Sequence, residues 1–332
     1  MQHPSQQQTW NFRQQRITRW LGFGLLMFLV TVSGILCYSN VLNSFFLSDD
    51  FVLVALLEKL GPFGLWVNQQ HGKSLFFRPV LNLISFIDYQ IWGTQAWGYH
   101  WTNFVFHLFN ALWVGIIAHF LLRQPLTAQS LERFIPYLAG FIFLLMPSHS
   151  EAVSWISART DVISTFFALS AFVTYLSYKR SRRAYQLILS LLLFLCGLLS
   201  KESIVSFPGL IILYESYGLI ARPYQKRIFR PGVINCLLNL GVLGINFLLR
   251  YWKLGELVGG YGEDIHLSFN LNQMLQNVII YPMRSLLVAQ PNSGFQFWLM
   301  IWLGFVVLVF LCGTIGYFHP EISREIPKTQ FF

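Results

Sequence analysis

Two carboxylates stand side by side in Ser48-Asp49-Asp50, directly before the apolar run Phe51 to Leu57. One carboxylate of such a pair can take the proton of an attacking hydroxyl while its neighbour orients that group or holds a cation. Capping a helix N-terminus needs only one acid, so Asp49 and Asp50 are both candidate catalytic groups. A second constellation follows at His100, Asn103, His107 and Asn110, spaced by three, four and three residues. On a helix these side chains fall within about 80° of arc. The face continues as Val114, Ile117 and Ala118, so the polar strip runs only about 15 Å along the helix. Interhelical hydrogen bonding suits Asn103 and Asn110 equally well. His100, nearest the helix start, is better placed to line a pocket, and His100, Asn103 and His107 are candidate substrate-binding residues.

Three further groups carry charge. Pro147 is followed by Ser148, His149, Ser150 and Glu151, then by Arg159 and Asp161. Ser148 and Glu151 have capping-box spacing; His149 and Glu151 are also candidate substrate contacts. Arg159 is a guanidinium suited to gripping a phosphate bidentately, with Asp161 as its expected partner. The adjacent Lys201 and Glu202 form either a local ion pair at a tight turn or a cation placed beside a substrate phosphate, the second being preferred. Arg78 follows Phe76 and Phe77 and reads as an anion-binding group or as an interfacial anchor. The turn Gly259-Gly260-Tyr261-Gly262, followed by Glu263 and Asp264, is a weaker lid or acceptor contact.

These groups need a scaffold, and composition defines its kind. The 332 residues are 55% apolar and only 11% charged, with a mean hydropathy of +0.51, whereas soluble domains carry about a quarter charged residues. A soluble enzyme and a disordered chain are both excluded. Cys37, Cys196, Cys236 and Cys312 lie in separate apolar stretches, with neither disulfide-framework nor metal-ligand spacing, and read as packing residues. Apolar runs at roughly 20–38, 97–122, 134–147, 162–178, 184–199, 203–220, 232–251 and 297–318 predict about eight spans of some 20 residues each. A weaker run at 271–290 is broken by Pro282 and Arg284. The first run is long, lacks a cleavage pattern and is expected to stay as an anchor. The expected fold is all-α: a polytopic transmembrane helical bundle with short amphipathic helices on its outer face. Residues 1–19 form a cytosolic basic tail, 20–320 a single membrane domain with outer segments 39–96 and 252–296, and 321–332 a C-terminal tail.

Orientation follows from the basic residues of the short loops. With a cytosolic N-terminus, Arg13, Arg16, Arg19, Arg123, Arg133, the cluster Lys179 to Arg183 and the cluster Arg222 to Arg230 face inward. Asp49, Asp50, Glu58, Asp88, Glu151, Asp161, Glu202, Glu256, Glu263 and Asp264 then fall on the outer side. The net charge of +9 is therefore an orientation signal; membrane lipid is the partner it implies, and no nucleic acid is needed to explain it. Chemistry is expected on the outer face.

The motif set resembles the polytopic GT-C glycosyltransferases, above all the membrane half of the transmembrane-and-tetratricopeptide-repeat O-mannosyltransferase family and its bacterial relatives. The resemblance rests on Phe46-Leu-Ser-Asp-Asp-Phe51, on Phe77-Arg-Pro-Val80 leading to Asp88-Tyr89, and on Gly98-Tyr-His-Trp-Thr-Asn103 with His107 and Asn110. It continues through Pro147-Ser-His-Ser-Glu-Ala-Val-Ser-Trp-Ile-Ser-Ala-Arg-Thr-Asp161 and Leu199-Ser-Lys-Glu202, in order over residues 40–215.

The resemblance implies an inverting transfer of a sugar from a polyprenyl-phosphate-linked donor to an extracytoplasmic acceptor, which could be a glycan, lipid or protein. It gives the base role to the acid pair, Asp49 preferred over Asp50, and leaves Arg78, Arg159 and Lys201 as cations for the leaving phosphate. No certain cofactor is implied, and a divalent metal is left open. The expected location is a bacterial cell (inner) membrane. Two departures from the resemblance stand out: no tetratricopeptide repeats follow, and the chain is short for the class. A non-catalytic component that binds or moves polyprenyl-linked substrates, and a truncated inactive remnant, are the other readings.

Overall fold

The computed structural model describes residues 31–67, 76–122, 134–220 and 229–255, together with residues 272 and 276. The expected tails, the run at 297–318, nearly all of 271–290 and the glycine turn with Glu263 and Asp264 lie outside the described residues. Every regular element among the described residues is helical. In chain order they are α1 (Thr31–Leu42), α2 (Asp49–Val67), α3 (Pro79–Trp92), α4 (Ala96–Leu121), α5 (Ile135–Leu145), α6 (Ser150–Ser154), α7 (Arg159–Ser181), α8 (Ala184–Leu198), α9 (Phe207–Ile220) and α10 (Phe229–Leu254). Single 3-10 turns at Pro147–His149, Ile156–Ala158 and Glu202–Ser206 join them.

Among the described residues three segments are long and apolar enough to cross a membrane: Ala96–Leu121, Ile156–Ser181 and Pro231–Leu254, with α1, α5 and α8 as shorter apolar helices. They coincide with three of the runs predicted from sequence. Half of the apolar window of Ile156–Ser181 is buried, against 22% for each of the other two, so α7 is the central helix. It packs on α4 and α8, while α4 also packs on α5 and α2 on α3. The α4–α5 crossing is close because both helices lack a side chain where they meet. A Cβ at Gly140 would lie 2.7 Å from the Ala111 carbonyl oxygen, and one at Gly115 would lie 2.8 Å from that of Pro136. Small residues at such crossings are how helices associate where hydrocarbon supplies no hydrophobic drive. Polar links serve the same end: Ser190 donates its hydroxyl to the Ala171 carbonyl across α7 and α8 at 2.7 Å.

The chain divides into two compact units, 1–209 with 236–260 and 210–235 with 261–332. The first contains every candidate site residue named above that the structure describes. Its core has two centres, one around Tyr38, Leu42, Phe104, Val153 and Val162 and one around Phe46, Val54, Ala96, Tyr99 and Ile156. In the described part of the second, Glu215 is buried and a Cβ at Gly232 would meet its carboxylate at 2.9 Å. Cys37 is exposed rather than packed, and Cys37, Cys196 and Cys236 are not disulfide-bonded. Being exposed on an apolar helix, Cys37 suits a hydrocarbon environment.

Candidate functional site

The acid pair opens α2, directly after the tight turn that ends at Ser48. Ser48 adopts a left-handed conformation (φ 49°), uncommon for a residue other than glycine and a form of strain that collects at functional sites. The turn splits the roles of the two acids. Asp50 is 0% exposed: its Oδ2 accepts the Leu47 N–H at 2.9 Å, and its Oδ1 accepts both the N–H and the hydroxyl of Ser157, each at 2.7 Å. Asp49 is exposed and accepts only the Ser48 hydroxyl, at 3.3 Å. Asp50 thus ties the turn to the Ile156–Ala158 segment, while Asp49 faces outward with lone pairs to spare.

Beneath the acids lies a buried ion pair. Arg159, at the start of α7, is 1% exposed. Its Nη2 donates to Asp88 of α3 and its Nε to Asn103 of α4 at 2.9 Å. The Tyr99 ring stands 5.7 Å from the guanidinium carbon. Asp88 also accepts the Thr102 hydroxyl at 2.9 Å, and Asn103 passes its amide to the Val153 carbonyl at 3.2 Å. The sequence pairs Arg159 with Asp161 and offers it to a phosphate. The structure corrects the pairing to Asp88, and a guanidinium this buried is a tie between three helices, not an open grip.

Asp161 instead meets Lys201, and Glu202 is held by two arginines. Arg78 donates through Nε and Nη2 to Glu202, the shortest contact being 2.7 Å, and Arg250 of α10 donates through Nη1 at 3.0 Å. The local pair of Lys201 with Glu202, the less preferred of the two sequence readings, is therefore absent. Lys201 is extended (φ −157°, ψ 143°) just before the 3-10 turn begins, so neighbouring side chains diverge. Burial pulls the Glu202 carboxyl upward, but the hydrogen bonds and charge of Arg78, with Arg250, outweigh it and hold it below the usual carboxylate range. Counted together, Arg78, Arg250, Lys201, Asp161 and Glu202 carry one surplus positive charge, with Arg250 buried and the other four side chains partly exposed.

The polar strip of α4 is wholly buried: His100, Asn103, His107 and Asn110 all face inward. Asn110 donates to the Val162 carbonyl at 2.9 Å, so both asparagines join helices, one of the two roles their spacing leaves open. His107 donates from Nε2 to the Leu144 carbonyl at 3.1 Å, and the Tyr38 hydroxyl lies 3.5 Å from the same nitrogen. His100 makes no direct hydrogen bond; the carboxylate of Asp50 and the backbone of Phe45 and Ser44 are its electrostatic neighbours. His149 donates from Nδ1 to the Phe143 carbonyl at 2.9 Å. Burial lowers its pKa, only partly offset by that bond, so it is neutral near pH 7. The capping box does not form: α6 begins at Ser150, past Ser148, whose hydroxyl is buried without a partner, and Glu151 is exposed. Among the described residues no group of three or more His, Cys, Asp and Glu could hold a metal ion.

Sequence reasoning missed the site roles of Ser157, Thr102 and Arg250, and used Asp88 only within a motif. Arg250 carried a usable signal, since an ionisable residue in an apolar helix implies a partner. Ser157 carried none.

Charged groups thus gather near the start of α7 in a membrane protein whose described elements are all helical, while Lys179, Arg180, Arg182 and Arg183 gather where α7 ends. Comparison with known proteins finds relatives by sequence. The chain is 29% identical over 187 residues to Protein O-mannosyl-transferase Tmtc1 of Drosophila melanogaster, covering 56% of this chain and 20% of the relative. It is 23% identical over 213 residues to Protein O-mannosyl-transferase TMTC1 of Homo sapiens, covering 58% and 23%. It is 26% identical over 160 residues to Protein O-mannosyl-transferase TMTC2 of Mus musculus, covering 45% and 18%. The chain spans about a fifth of the length of these relatives. No family model and no solved structure matches it.

Proposed function

We propose that the protein is an integral-membrane glycosyltransferase that moves a sugar, with inversion, from a polyprenyl-phosphate donor to a hydroxyl on the extracytoplasmic side. The observation that carries the reading is the division of the acid pair: Asp49 exposed and free to accept a proton, Asp50 buried and fully bonded below it. Asp49 takes the acceptor's proton as the acceptor oxygen attacks the anomeric carbon. The bond from that carbon to the phosphate oxygen breaks, and polyprenyl phosphate leaves with the electron pair. The surplus charge of the Arg78, Arg250 and Lys201 cluster stabilises that leaving group. Asp50 anchors the turn, Asp88, Asn103 and Arg159 tie the neighbouring helices together, and His100 stands beside Asp50; His107, His149 and Glu151 are further candidate substrate contacts. The relatives' names support sugar transfer, and the gathering of Lys179 to Arg183 away from the acids supports an extracytoplasmic site.

The test is transfer by the full chain in vesicles supplied with lipid-linked sugar. Asp49→Asn should lower the rate at least a hundredfold while thermal stability is kept, and Asp50→Asn should lose stability and rate together. A carrier without catalysis would tolerate Asp49→Asn. Normal transfer by both variants overturns the assignment.

A further inference from the structure

The hairpin of α7 and α8 carries charge of one sign only at its tip. Lys179 and Arg180 stand in the last turn of α7, and Arg182 and Arg183 form the whole link to α8. Helices α4, α5 and α8 hold no acidic residue, and α7 holds none after Asp161. From Asp161 to Ser181 the helix runs about 30 Å, some three times the roughly 8–10 Å over which salt screens a charge. Two of the four cations are engaged within the protein. Arg180 donates from Nη2 to the Phe120 carbonyl at 3.1 Å and lies 4.2 Å over the Phe120 ring, closing the end of α4. Lys179 is half-buried and also engaged. Arg182 and Arg183 are exposed, and neither side chain meets a partner among the described residues.

The link that carries them is held in place. The Ser181 hydroxyl donates to Gln186 of α8 and accepts the Arg183 N–H at 3.4 Å, while the Arg182 N–H reaches the Tyr178 carbonyl at 2.7 Å. Arg182 is left-handed (φ 59°), a place at a helix end that glycine fills without strain and a residue with a Cβ does not. Arginine there keeps a charge at the tip against the local backbone preference. Directly below the tip, α8 turns one apolar face outward. Tyr185, Ile188, Leu189 and Leu192 are all exposed and share one face of the helix, whereas Ser190 and Phe194 on the opposite face are buried, Ser190 against α7. The outward face runs about 10 Å away from the two arginines.

Cations at the head of an apolar face define the occupant. Guanidinium groups grip phosphate oxygens bidentately, and the aliphatic face below suits hydrocarbon. A neutral lipid would leave the charge unanswered, and a nucleic acid or an acidic protein would leave the apolar face uncovered. We propose that the tip of the α7–α8 hairpin binds an anionic phospholipid, its phosphate between Arg182 and Arg183 and an acyl chain along Tyr185, Ile188, Leu189 and Leu192. General attraction of basic loops to a charged membrane surface scales with the number of cations; this site depends on two particular residues and one helix face. It lies at the end of α7 remote from the acid pair and stands whether or not the protein transfers sugar.

Native mass spectrometry of the full chain, released from micelles charged with equal amounts of phosphatidylglycerol and phosphatidylcholine, reads the retained lipid. Phosphatidylglycerol should be kept at least tenfold over phosphatidylcholine, and Arg182→Gln with Arg183→Gln should lower its retention at least fivefold. Arg13→Gln with Arg16→Gln removes the same charge from the N-terminal tail and should leave retention unchanged. Equal loss from both double variants means bulk attraction only and overturns the proposal, as does equal retention of the two lipids. Displacement by inorganic phosphate, but not by chloride at equal ionic strength, would mark a site for the free anion and overturn it too. Arg182→Gly separates binding from folding. Glycine suits the left-handed position, so the thermal midpoint in lipid-free micelles should hold or rise while phosphatidylglycerol retention falls at least twofold. Unchanged retention, or a midpoint that falls together with retention, overturns the proposal.

Discussion

Removing the charge of Asp88 tests the network most directly. Asp88→Asn keeps the shape of the side chain and its capacity to accept the Thr102 hydroxyl, but leaves Arg159 without a counter-charge. Arg159 is 1% exposed and its Nη1 already lacks a partner, so the guanidinium cannot recover hydration without moving α7. Breaking one side of a buried ion pair costs about 3–5 kcal/mol, roughly a hundredfold or more in the ratio of folded to unfolded protein. Arg159→Met should cost a similar amount, because it strands the carboxylate instead. The double variant Asp88→Asn with Arg159→Met should be more stable than either single one and within about 2 kcal/mol of the parent, since both charges are gone. Equilibrium unfolding in mixed micelles of rising SDS content, followed by helicity and by tryptophan fluorescence, measures all four corners. A cost for Asp88→Asn below about 1 kcal/mol, or a double variant less stable than both singles, would refute the reasoning.

Ser157→Ala removes one of the two bonds at Asp50 Oδ1 and should cost about 1.5–3 kcal/mol, the range for bonds to charged groups; transfer should fall with it, whereas unchanged unfolding and transfer would detach Ser157 from the site. The Glu202 pair makes an acid-sensitive contribution. Because the folded pKa lies below the ordinary value of 4.5, its stabilisation is complete above that value and is lost as pH falls through the folded pKa. Glu202→Gln should therefore flatten the fall of thermal midpoint below pH 4.5, and parallel curves for parent and variant would count against the pair. Gly140→Ala places a methyl 2.7 Å from the Ala111 carbonyl oxygen and should cost about 1–3 kcal/mol. Gly241→Ala, with nothing within 4 Å, should be neutral or gain up to about 1 kcal/mol in α10; equal effects from the two glycines would deny the close crossing.

What could be read from sequence was periodic. The spacing of His100, Asn103, His107 and Asn110 fixed a single inward face on α4, and the structure buries all four. The apolar runs located α4, α7 and α10 because length and composition alone decide which helices can cross a bilayer. What could not be read was non-local. Arg159 looked paired with Asp161, two residues on, yet a helix start points those side chains apart and its partner lies 71 residues back in α3. Lys201 and Glu202 likewise look like a pair and go to different partners. Helix α3 buries Ser85 and Asp88 while exposing Leu83, Ile87 and Ile91, and this was hidden for a related reason: pattern shows that a helix has two faces, but only the neighbours show which one is inside.

The distances along the chain between these partners set a schedule for assembly. Asp88 waits 71 residues for Arg159, Asp50 waits 107 for Ser157, and Arg78 waits 124 for Glu202. At about 5–20 residues per second of synthesis, the earliest charges reach the bilayer roughly 4–25 s before their counterparts exist. During that interval α3 has an acid on one face, hydrocarbon-seeking side chains on the other, and nothing to bind the acid. A protein built this way needs the insertion machinery to shelter half-made segments. Variants that disturb the late partners should accordingly show up first as poor membrane yield, before any defect in the finished molecule is measurable.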